Sequence, residues 1–171
     1  MDFWIQAIGI LGAIFAFAAY QQKSHKGIMV LKTCSALCFV TQFILMKAYT
    51  GLVMNVLGII IYLGSAYLIA KEKNVVPFTV VFSLACILTG AFTWVGIVSL
   101  LAILGETVIT IACACKDPKY VRYISLIGSV CWLLYDSIYF SLGGIITEVF
   151  AIISIIVATI RFYRGKQLKD V

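Results

Sequence analysis

Glu106, Asp136 and Glu148 are the side chains with the most chemistry to offer, because each falls inside a long apolar run. An ionised carboxylate at mid-bilayer costs about 3 kcal/mol on insertion scales, so such a group faces a cavity, finds a partner or stays protonated. Glu106 is the deepest, about ten residues from either end of its run. Glu148 lies five residues past Gly143, roughly 7 Å below the edge by helical rise. Asp136 sits near Tyr135 and Tyr139, where it could either snorkel to water or serve a site. Asn55 stands 93 positions before Glu148, and Phe39 stands 93 before Trp132. Trp132 and Tyr135, one turn apart, could form a stacking wall.

That 93-residue offset is a property of the whole chain. Residues 102–163 slide without a gap onto 9–70, so that Gly12 meets Gly105, Cys38 meets Cys131 and Gly51 meets Gly144. Lys23 and Lys26 likewise meet Lys116 and Lys119. Apolar matches come cheaply in such a sequence; the glycine and lysine coincidences carry the weight. Glu106 has Ala13 as its counterpart, so any role it has is asymmetric, as a proton carrier or counter-charge.

Composition names the solvent. With 63% hydrophobic residues, 12% charged and a mean hydropathy of +1.10, the chain has too little polar surface to cover a soluble globule. A span needs about twenty apolar residues to cross a core of about 30 Å. Seven segments qualify, at about 3–21, 28–47, 51–70, 75–93, 96–115, 120–140 and 145–163. The fourth and fifth are separated by a tight turn expected around Gly90–Gly96, and Pro77 suits a first helical turn. The first segment lacks a basic leader and cleavage motif and is read as a retained span.

Charge supports that count. Seven spans put twelve of thirteen basic residues on one side, including Lys71, Lys73 and the tail from Arg161, with Lys47 alone opposite. The tail is therefore expected in the cytoplasm and the N-terminus outside. A three-span unit ends opposite to where it began, so a second copy in the same orientation requires an inverting helix between them. The expected fold is an all-α membrane protein, two parallel three-helix bundles joined by one linker helix (3+1+3): residues 1–71, 72–94 and 95–171.

Other chemistries find little support. The net charge of +6 is spread over short loops and forms no basic face for nucleic acid. The six cysteines, Cys34, Cys38, Cys86, Cys113, Cys115 and Cys131, all fall in spans and read as small packing residues. Cys113-x-Cys115 lacks metal-site spacing and a nearby histidine. The lone His25 belongs to a basic loop, and no nucleophile, base and orienting acid share a depth. No enzyme activity, metal or cofactor is expected. Gly9-x-x-Gly12, Ala102-x-x-Gly105 and Gly51, Gly58 and Gly64 read as helix contacts.

The arrangement resembles the SWEET sugar transporters and their semi-SWEET relatives within the PQ-loop group. Trp132-Leu133-Leu134-Tyr135, with Glu148 sixteen residues after the Trp, is similar to their Trp-x-x-Tyr and downstream Pro-Asn. Asn55-x-x-Gly58 resembles their Asn-x-x-Gly. The resemblance implies that Asn55, and by position Glu148, Trp132 and Phe39, line a solute pocket. The Pro-Gln of the group is replaced by Tyr20-Gln21-Gln22 and Cys113-Ala114-Cys115, which removes the usual proline hinge. Over nearly the whole chain the sequence also resembles the YgjV-type bacterial inner membrane proteins, at Met54-Asn55, Cys131-Trp132, Gly143-Gly144, Glu148 and Ile160-Arg161-Phe162-Tyr163-Arg164.

The expected function is transport of a small polar solute, sugar-like or cationic, across the inner membrane by rocking of the two halves. Asn55, Glu148, Trp132, Tyr135 and Phe39 are the expected solute contacts, and Glu106 and Asp136 the charge-coupling groups. Expected partners are that solute and the lipid bilayer, with homo-oligomers allowed and nucleic acid excluded. The alternatives are a non-transporting scaffold or regulator and a proton or cation conduit through Glu106.

Overall fold

In an apolar layer no water is present to satisfy backbone amides, so each segment must pair its own. The computed structural model describes residues 3–21, 25–115 and 118–167, which form helices and turns with no strand among them. The helices are α1 (Phe3–Gln21), α2 (His25–Leu45), α3 (Tyr49–Ala70), α4 (Val76–Phe92), α5 (Ser99–Ala114), α6 (Pro118–Tyr139) and α7 (Leu142–Gln167).

Among the described residues one stretch, Tyr49–Leu68 of α3, is both long and apolar enough to cross a membrane, with 20 residues at a mean hydropathy of 1.8. The other helices hold apolar stretches of 10–17 residues. Side-chain direction adds what length leaves out. Mid-helix Ile10, Ile60, Leu84, Leu104, Leu134 and Ile153 point outward and are exposed. Gln42, Thr50, Ser99, Glu106, Thr110 and Asp136 are buried. Water would favour the reverse, whereas lipid favours this arrangement.

Each helix end has a physical cause. Pro77 stands in the first turn of α4, where its missing N–H costs no hydrogen bond, and Asn74 Oδ1 accepts from the Val76 N–H at 3.0 Å. Between α4 and α5 the turn uses Gly96, at φ 141°, a conformation side chains resist. Gly90, expected in that turn, stays in α4 and is buried against Ile103 of α5. Lys47 and Phe140, 93 residues apart, both adopt left-handed φ, 56° and 55°. Their turns close with the same bond, Ala48 N–H to Phe43 O at 2.9 Å and Ser141 N–H to Asp136 O at 2.8 Å, a helix-ending motif written twice.

Interior contacts recur with the same offset. Gly12 of α1 meets Cys38 and Phe39 of α2, and Gly105 of α5 meets Cys131 and Trp132 of α6. α1 also packs on α7, and α3 on α5. Gly143 near the start of α7 abuts the backbone of Gly9 near the start of α1, while further along Phe150 meets Phe17 with ring centroids 4.5 Å apart. Thr50 and Ser99, at the starts of α3 and α5, share a hydrogen bond of 3.0 Å, and Gly58 faces Glu106 about two turns on. Both pairs therefore run co-directionally. α4 lies against α3 and α5, with Gly64 receiving the Phe78 ring.

The end at which α1, α3, α5 and α7 begin is tied by polar contacts. Gln6 Nε2 donates to Phe140 O at 2.8 Å, and Gln6 Oε1 accepts from the Leu142 N–H at 3.0 Å. Thr50 Oγ1 donates to Thr93 O at 2.6 Å, and Ser99 Oγ accepts from the Val95 N–H at 3.0 Å. Phe3, Trp4, Tyr49, Phe92, Trp94 and Phe140 are exposed around this end, where an interfacial aromatic belt would sit. Lys71 and Lys73 lie at the far end of α3 from Lys47. Lys23, Lys116 and Lys169 lie outside the described residues, as do the side chains of His25, Lys26, Lys119, Arg122 and the cations from Arg161 onward.

Tyr135 of α6 is fully buried, with its hydroxyl accepting the Gly51 N–H at 2.8 Å. That N–H belongs to the first turn of α3 and has no partner in its own helix, so Tyr135 caps α3 from another helix. Tyr135→Phe leaves it bare, and unfolding in detergent is expected to come earlier by about 1–3 kcal/mol. An unchanged midpoint would mean that the cap contributes nothing. Gly143→Ala drives a methyl into the Gly9 backbone, which cannot swing aside, and is expected to cost about 1–3 kcal/mol by the same assay. Wild-type stability there would contradict backbone contact between α1 and α7.

Candidate functional site

Five helices surround one internal cavity of about 100 Å³. α2 contributes Ala36, Phe39 and Phe43, and α3 contributes Asn55, Gly58 and Tyr62. From the second half come Glu106 and Ile109 of α5, Trp132 and Asp136 of α6, and Gly144, Thr147 and Glu148 of α7. Apart from the adjacent Thr147 and Glu148, these residues are three, four or seven apart on each helix, so each helix presents a single stripe. Their stripes meet because glycines let the backbones close in.

The carboxyl groups are held individually. Glu106 is 4% exposed and lies opposite Gly58, where a Cβ would come within 2.9 Å of Glu106 Oε1. The Trp132 side chain hydrogen-bonds this carboxyl, while Oε1 has no hydrogen-bond partner. Asp136 is 3% exposed and packs its carboxyl against Gly144, so it turns inward and does not snorkel. Glu148, half-buried, takes a hydrogen bond from Ser129, and its Oε2 is unpartnered.

Ser141 joins Asp136 to the first half of the chain. Its hydroxyl lies 3.0 Å from Gln42 Oε1 and also reaches Asp136, although it has one proton to give. Gln42 Nε2 is buried without a partner. With the Gln42 amide turned over, its nitrogen would donate to the Ser141 oxygen and gain the partner it lacks.

Among the expected solute contacts, Asn55, Glu148, Trp132 and Phe39 line the cavity together, as do Glu106 and Asp136. Tyr135 does not. It lies behind the wall, edge-on to Trp132 with centroids 5.6 Å apart, and its hydroxyl is committed to Gly51. Expected as a wall residue, it instead supports one. Asn55 donates its amide to Gly51 O at 3.0 Å, one turn back along its own helix. Phe43, Tyr62 and Thr147 line the cavity without having been singled out in the sequence. Tyr62 lies seven residues beyond Asn55 and Phe43 four beyond Phe39, the helical spacing that would have flagged them.

The remaining candidates lie elsewhere. Cys86 is buried in the apolar core, and Cys34, Cys38, Cys115 and Cys131 are partly exposed free thiols. The Cys113 side chain is outside the described set. Among the described residues no group of three or more His, Cys, Asp and Glu side chains could hold a metal ion.

An apolar exterior around a polar interior is the arrangement of a lipid-embedded protein, and the comparison with known families agrees. No curated protein and no solved structure matches the chain. The sequence model of Imp-YgjV, described as a bacterial inner membrane protein, matches residues 3–166. The match spans nearly all of the 171 residues, and the chain belongs to this family of bacterial inner membrane proteins.

Proposed function

We propose that the protein is a SWEET-like transporter, two parallel three-helix repeats with α4 as the inverting linker, moving a small polar solute by alternating access. The observation that carries this reading is the cavity itself, lined by the repeat-related pairs Asn55 with Glu148 and Phe39 with Trp132. Recurrence of the Gly12 and Gly105 contacts and of the Lys47 and Phe140 turns supports a duplicated unit. The co-directional pairing of α1 with α7 and of α3 with α5 is what parallel repeats related by an axis along the membrane normal produce.

In this reading the N-terminus is outside and the C-terminus cytoplasmic, so the end tied by Gln6, Thr50 and Ser99 is the outer one. Those ties hold it closed. Transport breaks them and re-forms contacts at the cytoplasmic end, where Lys32 Nζ stands 5.1 Å from the centre of the Tyr62 ring. Asn55 and Glu148 contact the solute, Trp132 and Phe39 shape its walls, and Glu106 and Asp136 adjust charge as it passes.

Glu148→Gln keeps the shape and removes the charge. Uptake into proteoliposomes is expected to fall at least about tenfold, on the scale of one lost charged hydrogen bond, with the folded yield unchanged. Full uptake would take Glu148 out of the transport site. A thermal-shift screen against polar small molecules tests the reading more broadly: a transporter is stabilised by its solute. Indifference to every solute, together with absent uptake, would favour a scaffold whose repeat is inherited packing.

A further inference from the structure

The cavity wall is lopsided in its hydrogen bonding. Its donors are largely spent: the Asn55 amide bonds Gly51 O, the Thr147 hydroxyl bonds Gly143 O at 2.8 Å, and the Trp132 side chain bonds Glu106. Its acceptors are not. Glu106 Oε1, Asp136 Oδ1 and Glu148 Oε2 are each buried without a hydrogen-bond partner, and all three residues line the cavity. Among the described residues no Lys, Arg or His lines the cavity. Lys32 lines a smaller adjoining pocket that shares Ala36 and Tyr62 with the main one.

A wall rich in free acceptors gives an anion little to bond and leaves the acceptor half of a sugar hydroxyl unmatched. It calls for a ligand that brings donors and positive charge. The aromatic lining of Phe39, Phe43, Tyr62 and Trp132 narrows the choice. Ring faces attract a cation within about 6 Å, and indole does so best. Phe43 and Trp132 lie nearly parallel, 23° apart with centroids separated by 6.3 Å. The acids, meanwhile, are spread around the wall too widely to chelate a compact metal ion. At about 100 Å³ the cavity falls well below the ~300–1,000 Å³ of drug-sized sites, which suits a ligand of few heavy atoms.

We infer that the ligand of this cavity is a small organic ammonium cation, its charge set between the Glu106, Asp136 and Glu148 carboxyls and its carbon surface against Trp132 and Phe39. As a transport substrate it rests on the function proposed above; as a binding site it stands on the cavity alone.

The test is calorimetric titration of the full chain in lipid nanodiscs with methylammonium, with choline, and with 3,3-dimethylbutan-1-ol, the uncharged isostere of choline. The inference expects choline to bind at least about tenfold more tightly than the isostere, and Glu148→Gln and Trp132→Leu each to weaken it about tenfold. Equal affinity for choline and the isostere overturns it, as does binding of glucose with no binding of either ammonium ion. The wild-type comparison needs no variant to fold. Proteoliposome uptake of labelled methylammonium then separates the two claims. Binding with no uptake keeps the ammonium site and removes transport, whereas uptake of a neutral polyol without ammonium binding keeps transport and removes the ammonium site.

Discussion

Carboxyl groups inside an apolar layer have to be sheltered, and the arrangement of the bundle follows from sheltering them. Glu106 and Asp136 are nearly inaccessible, and each lies against a glycine of a neighbouring helix, Gly58 and Gly144. A larger residue at either position would collide with the carboxyl or force its helix outward. Lipid offers no hydrophobic force to draw helices together, so close backbone approach and buried polar bonds must do so. Gly143 lets α1 meet α7, Gly58 lets α3 meet α5, and between these close approaches lies the cavity.

The duplication proposed above would explain why these groups converge. Phe39 and Trp132, and Asn55 and Glu148, stand 93 residues apart in the sequence and line the same cavity. The two stretches differ in chemistry. At the positions of Phe43 and Ala13 the second stretch has Asp136 and Glu106, so all three acids among the described lining residues come from α5, α6 and α7. The solute would therefore meet a neutral, aromatic wall on one side and an acidic one on the other.

The sequence carried much of this. Apolar run lengths located all seven helices to within a few residues, and the 93-residue offset picked out four cavity residues, because repeat position and depth are preserved in the order of residues. What escaped depends on rotation about the helix axis. Tyr135 looked like part of the Trp132 face, yet three residues turn it far enough to lie behind that wall and cap α3. Asp136 looked close enough to the interface to reach water, and only the packing of Gly144 against it decides otherwise. Gly90 read as a turn residue because glycine suits turns, but its use here is to admit Ile103. α1 and α5 contain no proline, so the rocking proposed above would have to work through glycine contacts and the polar ties at Gln6, Thr50 and Ser99.

Everything depends on Glu148 and its neighbours facing a wet interior. Labelling of single cysteines in a cysteine-free background, with a small membrane-impermeant ammonium-bearing thiosulfonate, tests this directly. Thr147→Cys lines the cavity and Ile153→Cys, on the same helix, points outward at 54% exposure. The account predicts rapid labelling at 147 and almost none at 153. Inert 147, or labelling at 153 that matches or exceeds it, would contradict the account.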